Sequence, residues 1–123
     1  MAEPPQFLAL WPTVLMRDQL PADEAINTAL ADEIMRLDAE RPDLTTGYLD
    51  GNLLASEHPA LSWLRDCINH AVMRYIEHSG IDYKVDWHLQ GWANINRVGD
   101  YHNLHNHPHC WLSGTDYVSV PET

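Results

Sequence analysis

Basic residues are scarce in this chain. Seven Lys and Arg stand against 18 Asp and Glu, a formal charge of −11 over 123 residues. Nucleic acids and anionic bilayer surfaces are met by basic patches, and the few cationic side chains here are scattered from Arg17 to Arg97. Neither class of partner is therefore expected. Long apolar runs are absent too. Nothing approaches the ~20 residues that cross a bilayer, and the opening Met1-Ala2-Glu3-Pro4-Pro5 lacks the basic start of a secretory signal. Cysteine is sparse: Cys67 and Cys110 alone make no disulfide framework. Cys67 reads as a small buried hydrophobe in a helix and Cys110 as a core-facing strand residue. These features together place the protein in the cytoplasm with reduced thiols.

With 45% hydrophobic residues and no low-complexity tract, the chain is expected to fold as one domain over 1–123. Residues 1–80 read as mainly helical. Gln6 to Pro12 is a short apolar run, read as a first strand or an extended segment packed on the core. Pro21-Ala22-Asp23-Glu24 suits a first helical turn, where free N–H groups and the dipole favour negative charge. Ala25, Ile26, Ala29, Leu30, Ile34 and Leu37 then recur at helical spacing up to a stop near Arg41-Pro42, with a solvated acidic stripe opposite. Residues 43–56 form a loop with turn residues at Gly47 and Asp50-Gly51-Asn52, from which Leu53-Leu54 tucks into the core. A second helix opens at His58-Pro59, carries Leu61, Leu64, Ile68, Val72, Tyr75 and Ile76 on one stripe, and ends at Gly80. His58, His70 and His78 read as polar-face or capping residues.

The period changes after residue 80. Leu89, Gly91, Ala93 and Ile95 share one parity, and His88, Gln90, Trp92, Asn94 and Asn96 the other, which is the pattern of a strand with one apolar and one polar, aromatic face. A second alternating stretch runs from about Cys110 to Val120. Between them lies Gly99-Asp100-Tyr101-His102-Asn103-Leu104-His105-Asn106-His107-Pro108-His109-Cys110, which holds half of the eight histidines. Imidazole is the commonest metal-ligating side chain. Residues i and i+2 share a face on an extended chain but not on a helix, and Pro108 holds His107 extended, so His105 and His107 are the candidate metal pair. The polar faces of the two strands suit the lining of a pocket beside it, as inside a small β-barrel.

Trp92-Ala93-Asn94-Ile95-Asn96, Gly99-Asp100-Tyr101, His105-Asn106-His107-Pro108, Leu112-Ser113-Gly114 and Tyr117-Val118 with Pro121 together resemble a family of 2-oxoglutarate/Fe(II)-dependent oxygenases. The resemblance implies an α+β fold, two N-terminal helices packed on a double-stranded β-helix (jelly roll), with 81–123 forming its first strands. It also implies Fe(II) and 2-oxoglutarate as cofactors, the dioxygenase chemistry of an oxidoreductase, a metal held by His105, His107 and a more distal histidine, and Trp92, Asn94 and Tyr117 lining the cosubstrate site. His107 stands where the wider superfamily places a carboxylate, which suggests a three-histidine site or a carboxylate from elsewhere, Asp116 or Asp100 being nearest in sequence. The family's further strands, with the distal histidine and a 2-oxoglutarate-binding arginine, are not in this sequence. The chain is therefore expected to be a truncated barrel, carrying half a metal site and open to homo-oligomer formation through its exposed edge. No residue is assigned as catalytic, and the substrate, a small molecule or peptide, is not legible.

Three other readings compete. A cupin-like barrel shares Gly99 and the His105/His107 spacing, but Trp111 and Leu112 stand where its glutamate ligand belongs. A non-catalytic metal-binding or interaction module needs no more than the pair itself. A structural zinc site of His105, His107, His109 and Cys110 is disfavoured by ligands so crowded in sequence, since tetrahedral sites draw on separated pairs.

Overall fold

The computed structural model describes residues 4–40 and 51–122. Two helices organise them: α1, Glu24–Glu40, and α2, Pro59–His78, with a single 3-10 turn, Leu53–Ala55, between. Asp23 starts α1 by accepting from the Ile26 amide through Oδ1 at 2.8 Å, so one of the otherwise orphaned first-turn N–H groups is satisfied. At α2 the same task falls to a histidine. His58 Nδ1 accepts from the Ala60 amide at 3.2 Å, with Pro59 in the first turn, where its missing N–H costs nothing. The exit from α2 uses Gly80 at φ +74°, a left-handed position that suits glycine, and the Ser79 hydroxyl donates back to the Tyr75 carbonyl.

The core lies where the helices and the 3-10 turn meet. Leu30, Leu54, Ala60, Leu61 and Leu64 are its buried members, and Ile26, Ala29, Trp63, Ile68, Leu89 and Val118 pack around them. Leu30 and Leu61 are excluded from water almost completely, each contributing about 1.5–3 kcal/mol of burial. The helical periodicity of both stripes is thus realised, and Leu53-Leu54 does tuck inward. The proposed helix stop at Arg41-Pro42 and the Gly47 and Asp50 turn positions lie outside the described residues.

Two expectations are corrected. The acidic stripe of α1 is not solvated throughout: Glu33 is buried. Its carboxylate is bracketed by Arg36, whose Nε and Nη2 donate to the two oxygens at 2.8 Å each, and His58 Nε2 lies 3.7 Å away from α2. The Arg36 hydrogen bonds hold the Glu33 pKa below its ordinary value, against the desolvation that raises it. A carboxylate so placed joins the helices instead of facing water.

The larger correction concerns the fold class. Among the described residues there are two helices and no β-strand, so no jelly roll or double-stranded β-helix is present and the architecture is a small helical one. The physical reason is that alternation specifies extended backbone with two unlike faces, whereas a strand also needs a neighbour to complete its hydrogen-bond ladder. Residues 88–96 and 110–120 form neither strand nor helix, and residues 6–12, expected as a first strand, are exposed throughout, with Phe7 93% and Trp11 90% exposed and Trp11 at φ +56°. The face pattern of 88–96 nevertheless survives. Leu89, Gly91, Ala93 and Ile95 are buried or half-buried, while His88, Gln90, Asn94 and Asn96 are exposed.

The irregular segments are fastened by polar clips. Asn52 donates from Nδ2 to the Leu89 carbonyl at 2.7 Å and accepts on Oδ1 from the Gly91 and Leu54 amides. The Leu53 amide donates to the Gly91 carbonyl at 2.9 Å, and Leu54 fills the space a side chain on Gly91 would take. Upstream, the Trp87 indole N–H donates to Asn69 on α2; downstream, Arg97 pairs with Asp38 on α1 at 2.7 Å. The N-terminal segment is tied to the far end of α2 through Asp18–Arg74 at 2.7 Å and the Tyr75 hydroxyl to the Val14 carbonyl. Trp111 meets the edge of the same Tyr75 ring, centroids 6.1 Å apart, and Val118 reaches the core. No helix among the described residues is long and apolar enough to cross a membrane.

Candidate metal centre

The histidine-bearing loop leaves the clipped segment through a tight turn. The Arg97 amide donates to Asp100 Oδ2 at 2.8 Å, the Asp100 amide donates to the Arg97 carbonyl, and Gly99 takes φ +91°. Asp100 is thereby occupied as a turn acceptor. A second turn follows Pro108, where the Cys110 amide donates to the His107 carbonyl at 3.2 Å.

Between these turns the structure brings His105 and His107 together, ring centroids 5.1 Å apart and planes nearly perpendicular. Two imidazoles bound to one ion through nitrogens at about 2.1 Å hold their centroids roughly 4.5–5.2 Å apart, for ligand angles between octahedral and tetrahedral. The observed spacing fits a shared ion. His105 Nδ1 lies 2.6 Å from the Asn103 carbonyl. A carbonyl only accepts, so Nδ1 carries the proton and the neutral ring keeps its lone pair on Nε2, the arrangement in which a backbone carbonyl orients a ligating histidine.

Trp92 joins this pair. Its ring lies 5.8 Å from that of His107 at a 44° tilt. Asn94 and Tyr117 do not: both are exposed, and no hydrogen bond or ring contact among the described residues links either to the histidines. Cys110, expected to face a core from a strand, is instead exposed on irregular backbone, and His109 is exposed as well. Among the described residues no three His, Cys, Asp or Glu side chains converge on one point that could hold an ion, so neither the four-ligand zinc arrangement nor a third donor to His105 and His107 is assembled there. Asp116 lies within electrostatic reach of Cys67 on α2, and partial desolvation raises its pKa. Two donors of the right type thus lie side by side, as an incomplete set for a divalent ion.

Sequence reasoning missed Asn52, which it classed only as a turn residue. Its pairing with Leu89 and Gly91 spans 37 and 39 positions, and an amide side chain carries no sequence signal for so distant a partner.

Residues 90–123 match the family model described as "Putative 2OG-Fe(II) oxygenase". The match covers the stretch from which the resemblance was read, His105 and His107 included, and supports it. No curated protein matches the chain, and no solved structure does. The region beyond residue 90 is thus similar to oxygenases that use Fe(II) and 2-oxoglutarate, while the helical part of the chain stands without a relative in these comparisons.

Proposed function

We propose that the chain contributes the His105/His107 half of a mononuclear iron centre in a 2-oxoglutarate-dependent oxygenase acting in the cytoplasm. The observation that carries this reading is the juxtaposition, inside the family-matching segment, of two imidazoles at an ion-sharing distance. Bound Fe(II), with 2-oxoglutarate and oxygen, would supply the oxidising power for hydroxylating a C–H bond. The protein's own part is narrower. His105 and His107 offer neutral nitrogen donors. The Asn103 carbonyl holds the His105 proton on Nδ1, so that Nε2 is free. Trp92 lies beside the His107 ring, centroids 5.8 Å apart, and leaves it half-buried. Asn94 and Tyr117 are assigned hydrogen bonds to cosubstrate or substrate. The remaining metal donor is assigned to a residue that the described set does not bring to the pair. No nucleic-acid or membrane partner is proposed for a chain of charge −11.

The test is formation of succinate from 2-oxoglutarate without added substrate, under air, with Fe(II) supplied. Turnover that disappears in His105→Ala and in His107→Ala supports the oxygenase. Fe(II) binding without succinate formation identifies the second reading, a metal-binding module, which the two-donor arrangement favours. Absence of both refutes the proposal.

A further inference from the structure

We infer that Trp92 is a positioning residue for the metal pair, setting the orientation of His107 from a backbone that Asn52 clamps to the core; the inference rests on the proposed metal role of that histidine. Three observations converge on it. From Asn96 to Trp111 every residue is exposed except His107. The exception coincides with ring contacts to Trp92 at 5.8 Å and to His105 at 5.1 Å, and of these two Trp92 alone lies outside the exposed loop. The loop itself supplies little restraint, because its backbone hydrogen bonds among the described residues are the two turn contacts at Asp100 and Cys110.

Trp92, by contrast, projects from anchored chain. The residue before it, Gly91, is held on both sides: its amide donates to Asn52 Oδ1 at 3.0 Å and its carbonyl accepts from Leu53. The residue after it, Ala93, is buried. The indole therefore rises from anchored backbone beside the His107 ring. His105 needs no such neighbour, since the Asn103 carbonyl orients its ring. The two ligands of the pair are thus aimed by different devices, one by backbone and one by an aromatic face. Outer-shell partners that orient a ligating histidine typically change metal affinity 10–100-fold when removed.

The experiment compares Trp92→Phe, which keeps an aromatic face, with Trp92→Leu, which keeps apolar volume without one. The first readout needs no metal: the His107 ring C–H resonances in a 1H–13C spectrum, assigned with His107→Gln. Ring current from Trp92 displaces them in the wild type. The expected result is a reduced displacement in Trp92→Phe and, in Trp92→Leu, loss of all but the part that the His105 ring contributes. The second readout is Co(II) affinity from the visible absorption of the bound ion. It is expected to fall at least tenfold in Trp92→Leu and by much less in Trp92→Phe, with thermal midpoints of both variants close to wild type. Unchanged His107 resonances in Trp92→Leu overturn the inference, as does unchanged Co(II) affinity after the displacement is lost. Failure of the wild type to bind Co(II) counts against the proposed metal role instead, and the resonances still decide whether Trp92 places His107. If Trp92→Leu does not fold, Trp92→Phe decides: an unaltered His107 resonance in that variant overturns the inference and a partial return supports it.

Discussion

Replacing Gly91 with alanine puts a methyl group where Leu54 already sits. A Cβ built on Gly91 comes within 2.7 Å of both Cγ and Cδ1 of Leu54, against an optimum of about 3.5–4.0 Å between carbons. The clash involves a branch point as well as a methyl tip. Leu54 belongs to the buried core, so rotating it away displaces Leu61 or Leu64 in turn. Overpacking of this kind costs about 1–3 kcal/mol, and the loss of unfolded-chain freedom on going from Gly to Ala returns about 0.4–1 kcal/mol. A net destabilisation of about 1–2 kcal/mol is expected, read as a lower urea midpoint at unchanged slope. The control is Leu54→Ala, which alone costs about 2–5 kcal/mol through the hole it leaves. In the double variant the new methyl enters that hole, so the combined loss falls short of the sum by about 0.5 kcal/mol or more. A Gly91→Ala protein as stable as wild type, or strictly additive single effects, would show that segment 88–96 is not seated on the 3-10 turn and would refute the reasoning.

Glu33 governs the acid limb of stability. Its folded pKa is depressed, chiefly by the Arg36 hydrogen bonds, so its contribution is present above the unfolded carboxyl value and lost as pH falls through the folded one. Glu33→Gln should therefore lower the thermal midpoint at pH 7 and flatten its decline below about pH 4.5, the ordinary glutamate value. Burial, then the nearby Asp66, Asp116 and Asp18 carboxylates, raises the Cys67 thiol pKa. Cys67 should thus react with a disulfide reagent at pH 8 more slowly than exposed Cys110, and Asp116→Asn should speed it modestly. Gly80→Ala should cost about 1 kcal/mol because φ +74° is left-handed, whereas Gly51→Ala, with open space around its Cβ and no such φ, should be neutral in the same denaturation assay.

The helices were legible because their signals are local. Asp23, Pro59 and Gly80 mark ends through interactions a few residues away, and the 3.6-residue stripe through Leu30, Leu61 and Leu64 needs only one core to face. The extended segments were legible only by half. Alternation from His88 to Asn96 foretold which side chains turn inward, yet a ladder is a property of two segments, and the pattern of one cannot say whether its neighbour is a strand or a helix. Glu33 was misread for a related reason: its helical position assigns it to the acidic face, while its burial depends on His58 approaching from another element. Within the site, the nearness of the His105 and His107 rings was legible because two positions along the chain separate them. The exposure of Asn94 and Tyr117 was not, since their assigned roles assumed a closed pocket.

The joining of both flanking segments at Tyr75 bears on the order in which the molecule assembles. The Asp18–Arg74 and Tyr75–Val14 contacts close loops of 56 and 61 residues, and Trp111 meets the same Tyr75 ring. Loops of that size are entropically slow to close, while α2 forms from contacts within itself. The last turns of α2 thus act as a late docking platform, occupied only after the α1–α2 core has formed. Amide protons should report this as a gradient: most protected near Leu61 and Leu64, released earlier around Tyr75, and exchanging almost freely through the histidine loop.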